Sequence, residues 1–474
     1  MRKWTPLVAA CLGTFMLLID VTIVNVALPD IRSDLGSSFS ELQWVVDAYA
    51  LVLAALVLAA GSIADGIGHK RVYLVGLVVF AGSSLAAGLA QDPTALIAAR
   101  AIQGVGAAAM FATTISLLHA TYTGRDRGTA FAVWGAVSGA AAGVGVVLGG
   151  VLTDVLDWRW IFFVNIPISV LTFWLSAIAF RSGARGRLRV DIAGVVTFSA
   201  FAAATTYGII EGGESGWSTM TTIVSFAIGA AALIAFVTAE SVQSAPMFPL
   251  GLLRIRVFSG CIIAAAIFSV AAFASLPLLS IWMQGRLGLT PLQTGLAMLP
   301  MPVVAFVVAG VGGKLLHDAQ PRTTVGGGLL FVGAGSLGLL LIGPGSGWAT
   351  TIPGMVIVGV GVGLVGPALN AAALAAVPAR QSGIASGAVN TARQLGFALG
   401  IAVLGSVFST VAGSSTPRAI GDFVDGLDAA FAIAGVVGVI GGIVTIALLG
   451  RRAGHVAPTV DAAPVDETRS VTIG

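Results

Sequence analysis

Three charged side chains are unusual because they lie inside long apolar stretches of this chain. Asp20 occupies the middle of the first stretch, while Asp47 and Arg100 lie near the starts of the second and the fourth. A carboxylate inside an apolar helix is costly unless it titrates or finds a partner. Because burial favours its protonated form and a nearby cation favours its ionised form, such a group can alternate between a proton and a ligand.

Each of these residues also has a plainer interpretation. Asp20 could be a protonated carboxyl group bonded to a neighbouring helix, Asp47 a solvated carboxylate at a helix end, and Arg100 a structural partner of backbone carbonyls. At a rise of 1.5 Å per residue, however, the three lie roughly 13 Å, 7 Å and 9 Å from the same end of their helices. The sequence therefore predicts that the three residues can form one charge cluster in the same bundle, in which Asp20 is the leading candidate for binding a proton.

The composition indicates which elements hold these residues. Of the 474 residues, 57% are hydrophobic and only 9% are charged, and the mean hydropathy is +0.98. A soluble domain carries about 25% charged residues, so a soluble protein is excluded. Unbroken apolar runs favour membrane-spanning helices over the alternating strands of a membrane β-barrel.

The sequence lacks the residues that several functional classes require. The net charge is +3, but the basic residues are scattered over short loops, so we expect no nucleic-acid surface. Cys11 and Cys261 lie in apolar runs, and the histidines lack metal-ligand spacing, so we expect no disulfide and no metal. No G-x-x-x-x-G-K-[ST] motif occurs, which argues against ATP as the energy source. We expect no cofactor and no enzymatic activity.

Apolar runs long enough to cross about 30 Å of hydrocarbon predict fourteen transmembrane helices. The basic residues support this number, because eighteen fall in loops or tails on the side of the N-terminus and four on the other side. Both termini are therefore expected in the cytoplasm. The predicted spans are 6–29, 42–64, 72–90, 94–118, 128–152, 160–180, 191–210, 219–239, 258–283, 291–312, 323–343, 350–376, 386–411 and 426–449.

An internal repeat divides the chain. The loop at 61–71 has a degenerate echo at 310–322, after the tenth helix. We therefore predict an all-α membrane protein with two related six-helix bundles and two inserted helices. The predicted boundaries are 1–180 for the N-terminal bundle, 181–257 for the inserted helices with their linkers, 258–450 for the C-terminal bundle and 451–474 for a disordered cytoplasmic tail.

The loop at 61–71 is a candidate gate. Its glycines permit a tight turn and close helix approach, and Asp65 can meet a helix N-terminus or an arginine. The basic pair in this loop also satisfies the positive-inside rule, which explains it without any gating role. The predicted gating residues are Gly61, Asp65, Gly68, Lys70 and Arg71.

Polar side chains within the predicted helices are candidates for the substrate site. We expect no acidic residue inside the C-terminal helices, where Arg393 is the only charge. Two carboxylates and this arginine suit an amphiphilic, zwitterionic or neutral substrate as well as a lipophilic cation. The candidate substrate-binding residues are Asn25, Tyr49, Gln103, Trp134, Gln284, Asn370, Asn390, Arg393 and Gln394.

Several motifs resemble those of one transporter family. They are the run from Ile19 to Pro29, Trp44-Val45-Val46-Asp47-Ala48-Tyr49, the loop at 61–71, Arg100-Ala101-Ile102-Gln103-Gly104, Trp158 to Pro167 and Asn390-Thr391-Ala392-Arg393-Gln394-Leu395-Gly396. Together they span nearly the whole chain and are similar to the fourteen-helix drug:proton antiporter family of the major facilitator superfamily. One departure is Val146, which stands where the helix-5 motif of that family has proline.

The resemblance implies a protein of the cytoplasmic membrane that exports hydrophobic or amphiphilic drugs, dyes or antibiotics in exchange for protons. It also implies a proton-transfer role for Arg100 and roles in protonation and cation recognition for Asp20 and Asp47. The expected partners are the substrate, protons and lipid, and the expected state is a monomer. Two alternatives remain, a dedicated exporter of one endogenous metabolite or lipid and a membrane sensor or scaffold that transports nothing.

Overall fold

The computed structural model describes residues 3–180, 191–243, 246–315, 319–378, 381–413 and 420–449. The apolar runs of these ranges form helices, since a helix satisfies its own backbone hydrogen bonds in lipid. The α-helices are α1 Thr5–Leu35, α2 Phe39–Ile67, α3 His69–Gly88, α4 Pro93–Thr121, α5 Gly124–Val155, α6 Trp160–Phe163, α7 Asn165–Ala179, α8 Ile192–Ser215, α9 Met220–Val242, α10 Arg256–Phe273, α11 Leu276–Gly285, α12 Pro291–Ala297, α13 Pro300–Leu315, α14 Gly327–Gly338, α15 Ile352–Ala375, α16 Ser382–Val411 and α17 Ile420–Leu449.

The helix ends follow local sequence signals. Helix α1 ends at Gly36, whose φ of 65° lies in the left-handed region that glycine adopts without strain. Two residues later Ser38 caps α2: its hydroxyl accepts from the Glu41 amide, and the Glu41 carboxylate accepts from the Ser38 amide at 2.7 Å. Asp92 caps α4 in the same manner, followed by proline at the first helical position. The chain therefore reverses sharply between neighbouring spans.

The number of spans agrees with the fourteen predicted. In the described ranges, thirteen helices or helix pairs are long and apolar enough to cross a membrane. Helix α5 adds a fourteenth, because its segments 124–138 and 143–155 pass the same test together although they are bent by 41°. This bend lies just before Val146, so α5 bends without proline at that position.

The helices form two bundles with a hairpin between them. Helices α1 to α7 pack mainly among themselves, and α10 to α17 do the same. Helices α8 and α9 pack against each other, and α8 also contacts α2 and α16, one helix of each bundle. This arrangement of two six-helix bundles with two inserted helices is the predicted fold class. The predicted linker at 181–190 and the tail at 451–474 lie outside the described residues.

A hydrogen-bonded carboxylate anchors the inserted hairpin. Asp191 caps α8 by accepting from the Gly194 amide at 2.6 Å, and it also accepts from the Gln243 side chain and the Met247 amide. Burial raises the pKa of Asp191, but these hydrogen bonds outweigh it and hold the pKa below the usual value. The start of α8 is thereby tied to the end of α9 and to the chain that leads into α10.

One sequence expectation about the C-terminal bundle is wrong. Helix α17 begins at Ile420 and carries Asp422, Asp425 and Asp428, so an acidic residue does lie inside a C-terminal helix. Asp428 lies two turns inside α17, is half-buried, and has one buried carboxylate oxygen that makes no hydrogen bond. Asp428 already lies inside the predicted span 426–449, so the expectation overlooked this residue, while Asp422 and Asp425 fall before residue 426 in a segment predicted as a loop.

Candidate functional site

The centre of the N-terminal bundle holds an ion pair between α1 and α4. Arg100 donates from Nη1 to Oδ2 of Asp20 at 2.5 Å, and the two side chains are 1% and 0% exposed. The Arg100 Nε group also donates to the backbone carbonyl of Val45 on α2. A buried ion pair is stable only when hydrogen bonds satisfy its remaining polar atoms, and this pair has such bonds.

Three neutral side chains complete the network around this pair. Gln103 uses both ends of its amide, accepting from Arg100 at 2.6 Å and donating to Asp20 Oδ1 at 2.8 Å. It also donates to the hydroxyl of Ser84. Asn165, at the start of α7, donates to the same Asp20 oxygen at 3.1 Å. The Asp20 carboxylate therefore receives three hydrogen bonds, which satisfy its ionised form.

Aromatic rings and a glycine keep this network dry and compact. The Arg100 guanidinium lies 4.4 Å from the ring centre of Tyr49 and 5.9 Å from that of Phe162, distances at which a cation and a ring attract each other. Gly104 allows α4 to lie close to α2, since a Cβ atom there would meet the Tyr49 carbonyl oxygen at 2.7 Å. The close approach of α2 and α4 brings Arg100 within reach of the α2 backbone.

Asp47 differs from Asp20 although both are completely buried. Its two carboxylate oxygens make no hydrogen bond among the described residues. Oδ1 of Asn25 on α1 is likewise buried without a partner. An ionised carboxylate without a partner costs several kcal/mol in an apolar interior, so the neutral form of Asp47 is the one compatible with this site. The predicted three-residue cluster thus contains a bonded pair and a third group that does not bond to it.

Sequence reasoning missed three members of the network, namely Ser84, Phe162 and Asn165. The available signal was weak, because a lone serine or asparagine inside an apolar run is common in membrane helices. Asn165 did lie within one of the family motifs, beside the buried Phe162. Asn165 reaches Asp20 because α7 packs against α1, whereas Ser84 bonds to Gln103 and Phe162 lies against Arg100. The sequence pattern does not reveal which helices pack together.

The predicted gating loop at 61–71 is mostly helical, because α2 continues to Ile67 and α3 begins at His69, so only Gly68 lies between the two helices. Gly68 has a φ of 104°, a conformation that favours glycine, and Lys70 donates to the Ala177 carbonyl of α7 at 2.7 Å. Asp65 is 77% exposed and pairs with His69 at 3.3 Å. Gly61 is half-buried and Arg71 is exposed. Asp65 therefore contacts its own loop and makes no ion pair with the C-terminal bundle in the described ranges.

The two bundles meet firmly at one end of the molecule. We call the end at which α1 begins the N-terminal face and the end at which α1 terminates the opposite face. Near the opposite face, Gln43 of α2 donates to the Ile401 carbonyl of α16 at 3.0 Å. Gln284 of α11 donates to the Val26 carbonyl of α1 at 2.6 Å. Each bundle thus contributes one glutamine to a backbone carbonyl of the other.

The bundles diverge towards the N-terminal face. Gly143 of α5 contacts Pro302 of α13, since a Cβ atom on this glycine would lie 3.3 Å from the proline ring. Two helical turns nearer the N-terminal face, at Gly135 and Gly310, an added Cβ atom would meet nothing within 4 Å. Asn370 of α15 is exposed in the same half. Helices α2 and α16 stay in contact in this half, since Thr391 donates to the Ala54 carbonyl and a Cβ atom on Gly387 would lie 2.5 Å from Leu58, so the opening towards the N-terminal face is on the α5–α13 side.

The remaining candidate substrate residues occupy different surroundings. Trp134 donates to the Thr14 hydroxyl at 2.9 Å, which ties α5 to α1. Asn390 donates to the Ser386 carbonyl within its own helix. Arg393 and Gln394 of α16 are partly buried, and the Arg393 guanidinium lies 5.7 Å from the Phe268 ring centre on α10. The candidates therefore divide between the N-terminal network, the interface of the bundles and α16.

Comparison with protein families identifies the chain. Residues 10–401 match the family model described as Major Facilitator Superfamily. The chain belongs to the major facilitator superfamily. It is 35% identical to the puromycin resistance protein pur8 of Streptomyces alboniger, over 86% of this chain and 82% of the relative. It is also 36% identical to the cephamycin export protein CmcT of Amycolatopsis lactamdurans, over 87% and 85% of the two chains.

Further similarities agree with this assignment. The multidrug resistance protein Stp of Mycobacterium tuberculosis strain H37Rv is 34% identical over 85% of this chain and 75% of its own length. A solved structure of the peptide transporter POT in complex with sulfate has a TM-score of 0.70 and covers 94% of both chains at 17% identity, which supports the fold alone. This major facilitator protein is therefore a membrane transporter, and its relatives are resistance and export proteins.

Proposed function

We propose that this transporter exports hydrophobic or amphiphilic drugs, dyes or antibiotics across the cytoplasmic membrane in exchange for protons. The observation that carries the proposal is the buried Asp20–Arg100 pair with its hydrogen bonds to Gln103, Asn165 and the Val45 carbonyl. A purely structural ion pair would need no third side chain that can bond to either member when the pair separates. Here Gln103 bonds to both members of the pair, so Arg100 keeps a hydrogen bond when Asp20 takes up a proton.

The proposed cycle uses this alternation. Asp20 is ionised and bound to Arg100 while the space between the bundles opens to the N-terminal face. When the molecule opens to the other side, a proton binds Asp20 and breaks its pairing with Arg100, which retains Gln103 and the Val45 carbonyl. Return to the first state releases the proton on the N-terminal side. Asp47, which makes no hydrogen bond with its carboxyl group, assists Asp20 as a second proton site or contacts substrate.

The orientation follows from the positive-inside rule. If the basic loops face the cytoplasm, both termini and the N-terminal face are cytoplasmic, and the bundles open inward. In this orientation the gating loop at 61–71 lies in the cytoplasm with Asp65 paired only to its neighbour His69. We propose that Asp65 binds the other bundle when the transporter opens outward. An Asp65→Asn variant should therefore favour the inward-open form, and an unchanged conformational balance would contradict this role.

Dye efflux in inverted membrane vesicles tests the coupling. Under an imposed pH gradient the wild-type chain should accumulate dye against its concentration gradient, whereas Asp20→Asn should only equilibrate it. The matched control is Glu214→Gln, which changes an exposed carboxylate at the end of α8 and should retain accumulation. Accumulation by Asp20→Asn at the wild-type level would remove Asp20 from the coupling mechanism.

Two other functions give different results in the same vesicles. A dedicated exporter of one metabolite or lipid would accumulate a single compound and ignore chemically different dyes. A sensor or scaffold would bind ligands without proton release and without any accumulation. The relatives named above, which carry the words resistance or export, favour the multidrug or antibiotic exporter over both alternatives. We expect the transporting unit to be a monomer, since each chain has both bundles.

A further inference from the structure

Arg393 is a buried cation that lacks an acidic partner. It lies on α16, and among the described residues no carboxylate comes within 4 Å of its guanidinium. Its identified neighbour is the Phe268 ring, at 5.7 Å. A ring face attracts a cation but leaves the hydrogen-bond donors of the guanidinium unused. The five N–H groups of Arg393 are therefore available to a ligand.

The depth of Arg393 argues against a purely anchoring role. It is eleven residues from Ser382, where α16 begins, which places it about 17 Å from the N-terminal face at 1.5 Å per residue. A lysine or arginine near a helix end extends its charge into the lipid headgroups. From the middle of a 30-residue helix the side chain cannot reach them, so its charge stays in the transmembrane region.

The other charges inside the helices do not compensate Arg393. Asp20 is already paired with Arg100. Asp47 and Asp428 each lie eight residues from the start of a helix at the opposite face, about 12 Å inside that face. Since α16 and α17 are both 30 residues long, Asp428 is separated from Arg393 by about 16 Å along the bundle axis. Among the residues that the structure describes, none supplies a negative charge that compensates Arg393.

The surroundings of Arg393 face the space between the bundles. Gly396 and Gly400 are on the side of α16 that packs against α10, where an added Cβ atom would touch Ala266 and Ala274. Thr391 is on the side that packs against α2, with a hydrogen bond to the Ala54 carbonyl. Arg393 precedes Gly396 and Gly400 by three and seven residues, so it lies at the edge of the side packed against α10 and away from Thr391, and it is partly exposed. The same face carries Asn390 one turn nearer the N-terminal face.

We infer that Arg393 binds an oxyanion of the transported molecule, so that the preferred substrates are amphiphilic organic acids. The planar guanidinium fork matches a carboxylate, sulfonate or phosphate with two parallel hydrogen bonds. Phe268 is only 1% exposed, so it supports the guanidinium from inside the bundle and does not itself contact the ligand. This inference rests on the proposed export function and narrows its substrate class. It separates the proton site in the N-terminal bundle from the substrate charge site in the C-terminal bundle.

Equilibrium binding to acid and ester pairs tests the inference. The probes are rhodamine B and its ethyl ester, and pyrenebutyric acid and its methyl ester, measured by fluorescence with the purified full chain in detergent. We expect the wild-type chain to bind each acid at least about tenfold more tightly than its ester, as hydrogen bonds to charged groups of about 1.5–3 kcal/mol predict. Arg393→Gln should remove this preference by weakening only the acids.

Two controls complete the design. Arg254→Gln changes an exposed arginine outside the bundle and should keep the preference, and Arg393→Lys should keep part of it because the charge remains without the fork. Equal binding of acid and ester by the wild-type chain would overturn the inference, as would an Arg393→Gln variant with an unchanged preference.

Transport in inverted vesicles separates this inference from the export proposal. Accumulation of the esters together with exclusion of the acids would refute the anion site while leaving proton-driven export intact. A preserved acid preference in binding without accumulation of any probe would refute export while leaving the anion site intact.

Discussion

The two bundles share one fold but differ in whether the charges inside their helices have partners of opposite charge. In the N-terminal bundle, Asp20 and Arg100 neutralise each other, and Val45, Gln103 and Asn165 add hydrogen bonds to the pair. In the C-terminal bundle, Arg393 lies against Phe268 without a carboxylate partner. The carboxylate of a compensated pair can gain or lose a proton while the fold stays the same. An uncompensated cation requires a ligand that supplies negative charge. The difference suggests that proton binding and substrate charge recognition are divided between the bundles.

The packing of the two bundles differs as well. In the C-terminal bundle, the glycines of α14, α15 and α17 lie against one another, and an added Cβ on Gly333 would meet the backbone of α17. In the N-terminal bundle, the central contacts include the polar network. Small residues allow close backbone contact between membrane helices. The comparison therefore predicts which substitutions act through charge and which act through packing.

The largest expected effect is the difference in unfolding free energy between substitutions of Arg100 and Arg393. Arg100→Met leaves the Asp20 carboxylate buried without its partner, so we expect a loss of about 3–5 kcal/mol in unfolding free energy. Arg393→Met removes a cation without an acidic partner and should leave the unfolding free energy unchanged or higher. Reversible denaturation in mixed micelles measures both.

The double variant Asp20→Asn with Arg100→Met is the control for this experiment. Because it removes both charges of the pair, it should recover most of the stability that Arg100→Met loses. Equal destabilisation by Arg100→Met and Arg393→Met would mean that the compensation seen in the N-terminal bundle has no energetic consequence.

The next effect compares the two buried carboxyl groups within the N-terminal bundle. Asp20→Asn leaves Arg100 without its counter-ion and should cost about 3 kcal/mol in unfolding free energy. Asp47→Asn replaces one neutral group by another of similar shape and should change it by less than about 1 kcal/mol. Denaturation at neutral pH compares them. A loss for Asp47→Asn as large as that for Asp20→Asn would show that Asp47 is ionised and paired.

A smaller effect concerns glycine packing. Gly106→Ala would place a Cβ atom 2.6 Å from the Phe80 amide nitrogen and 2.8 Å from the Gly76 carbonyl oxygen. We expect a loss of about 1–3 kcal/mol, because the α3 and α4 backbones must separate. Gly135→Ala is the matched control in open space and should be neutral or stabilising. Thermal unfolding in detergent measures the pair, and equal losses would contradict this packing argument.

The smallest effect tests the contacts at the opposite face. Gln43→Leu removes the hydrogen bond to the Ile401 carbonyl and should shift the balance towards the form open at that face by about 0.5–1.5 kcal/mol. Spin-label distances across the face measure the shift. Gln293→Leu, at the exposed start of α12, changes a glutamine that bonds only to its own helix cap among the described residues and serves as control. Equal shifts for both variants would show that Gln43 does not stabilise the contact between the bundles at this face.

Much of the fold could be predicted from local properties of the sequence. Hydropathy alone locates the spans, since a helix must bury about twenty apolar residues to cross the bilayer. The polar residues that start helices, such as Ser38 and Asp92, also act locally. The start of α17 was misplaced because Asp422 and Asp425 lie in a helical end that is polar and exposed. Local hydropathy does not distinguish such an end from a loop.

The apolar runs around Asp20, Asp47 and Arg100 are enough to identify these residues as costly charges inside helices. The pairing of Asp20 with Arg100 depends on helix packing, as does the lack of a hydrogen-bond partner for the Asp47 carboxyl group among the described residues. Pairing depends on which faces of α1, α2 and α4 meet, and this is set by close contacts such as that of Gly104 with Tyr49. The same reason applies to Arg393: the sequence places a cation in the bilayer, and the packing of α16 leaves it without an acidic partner.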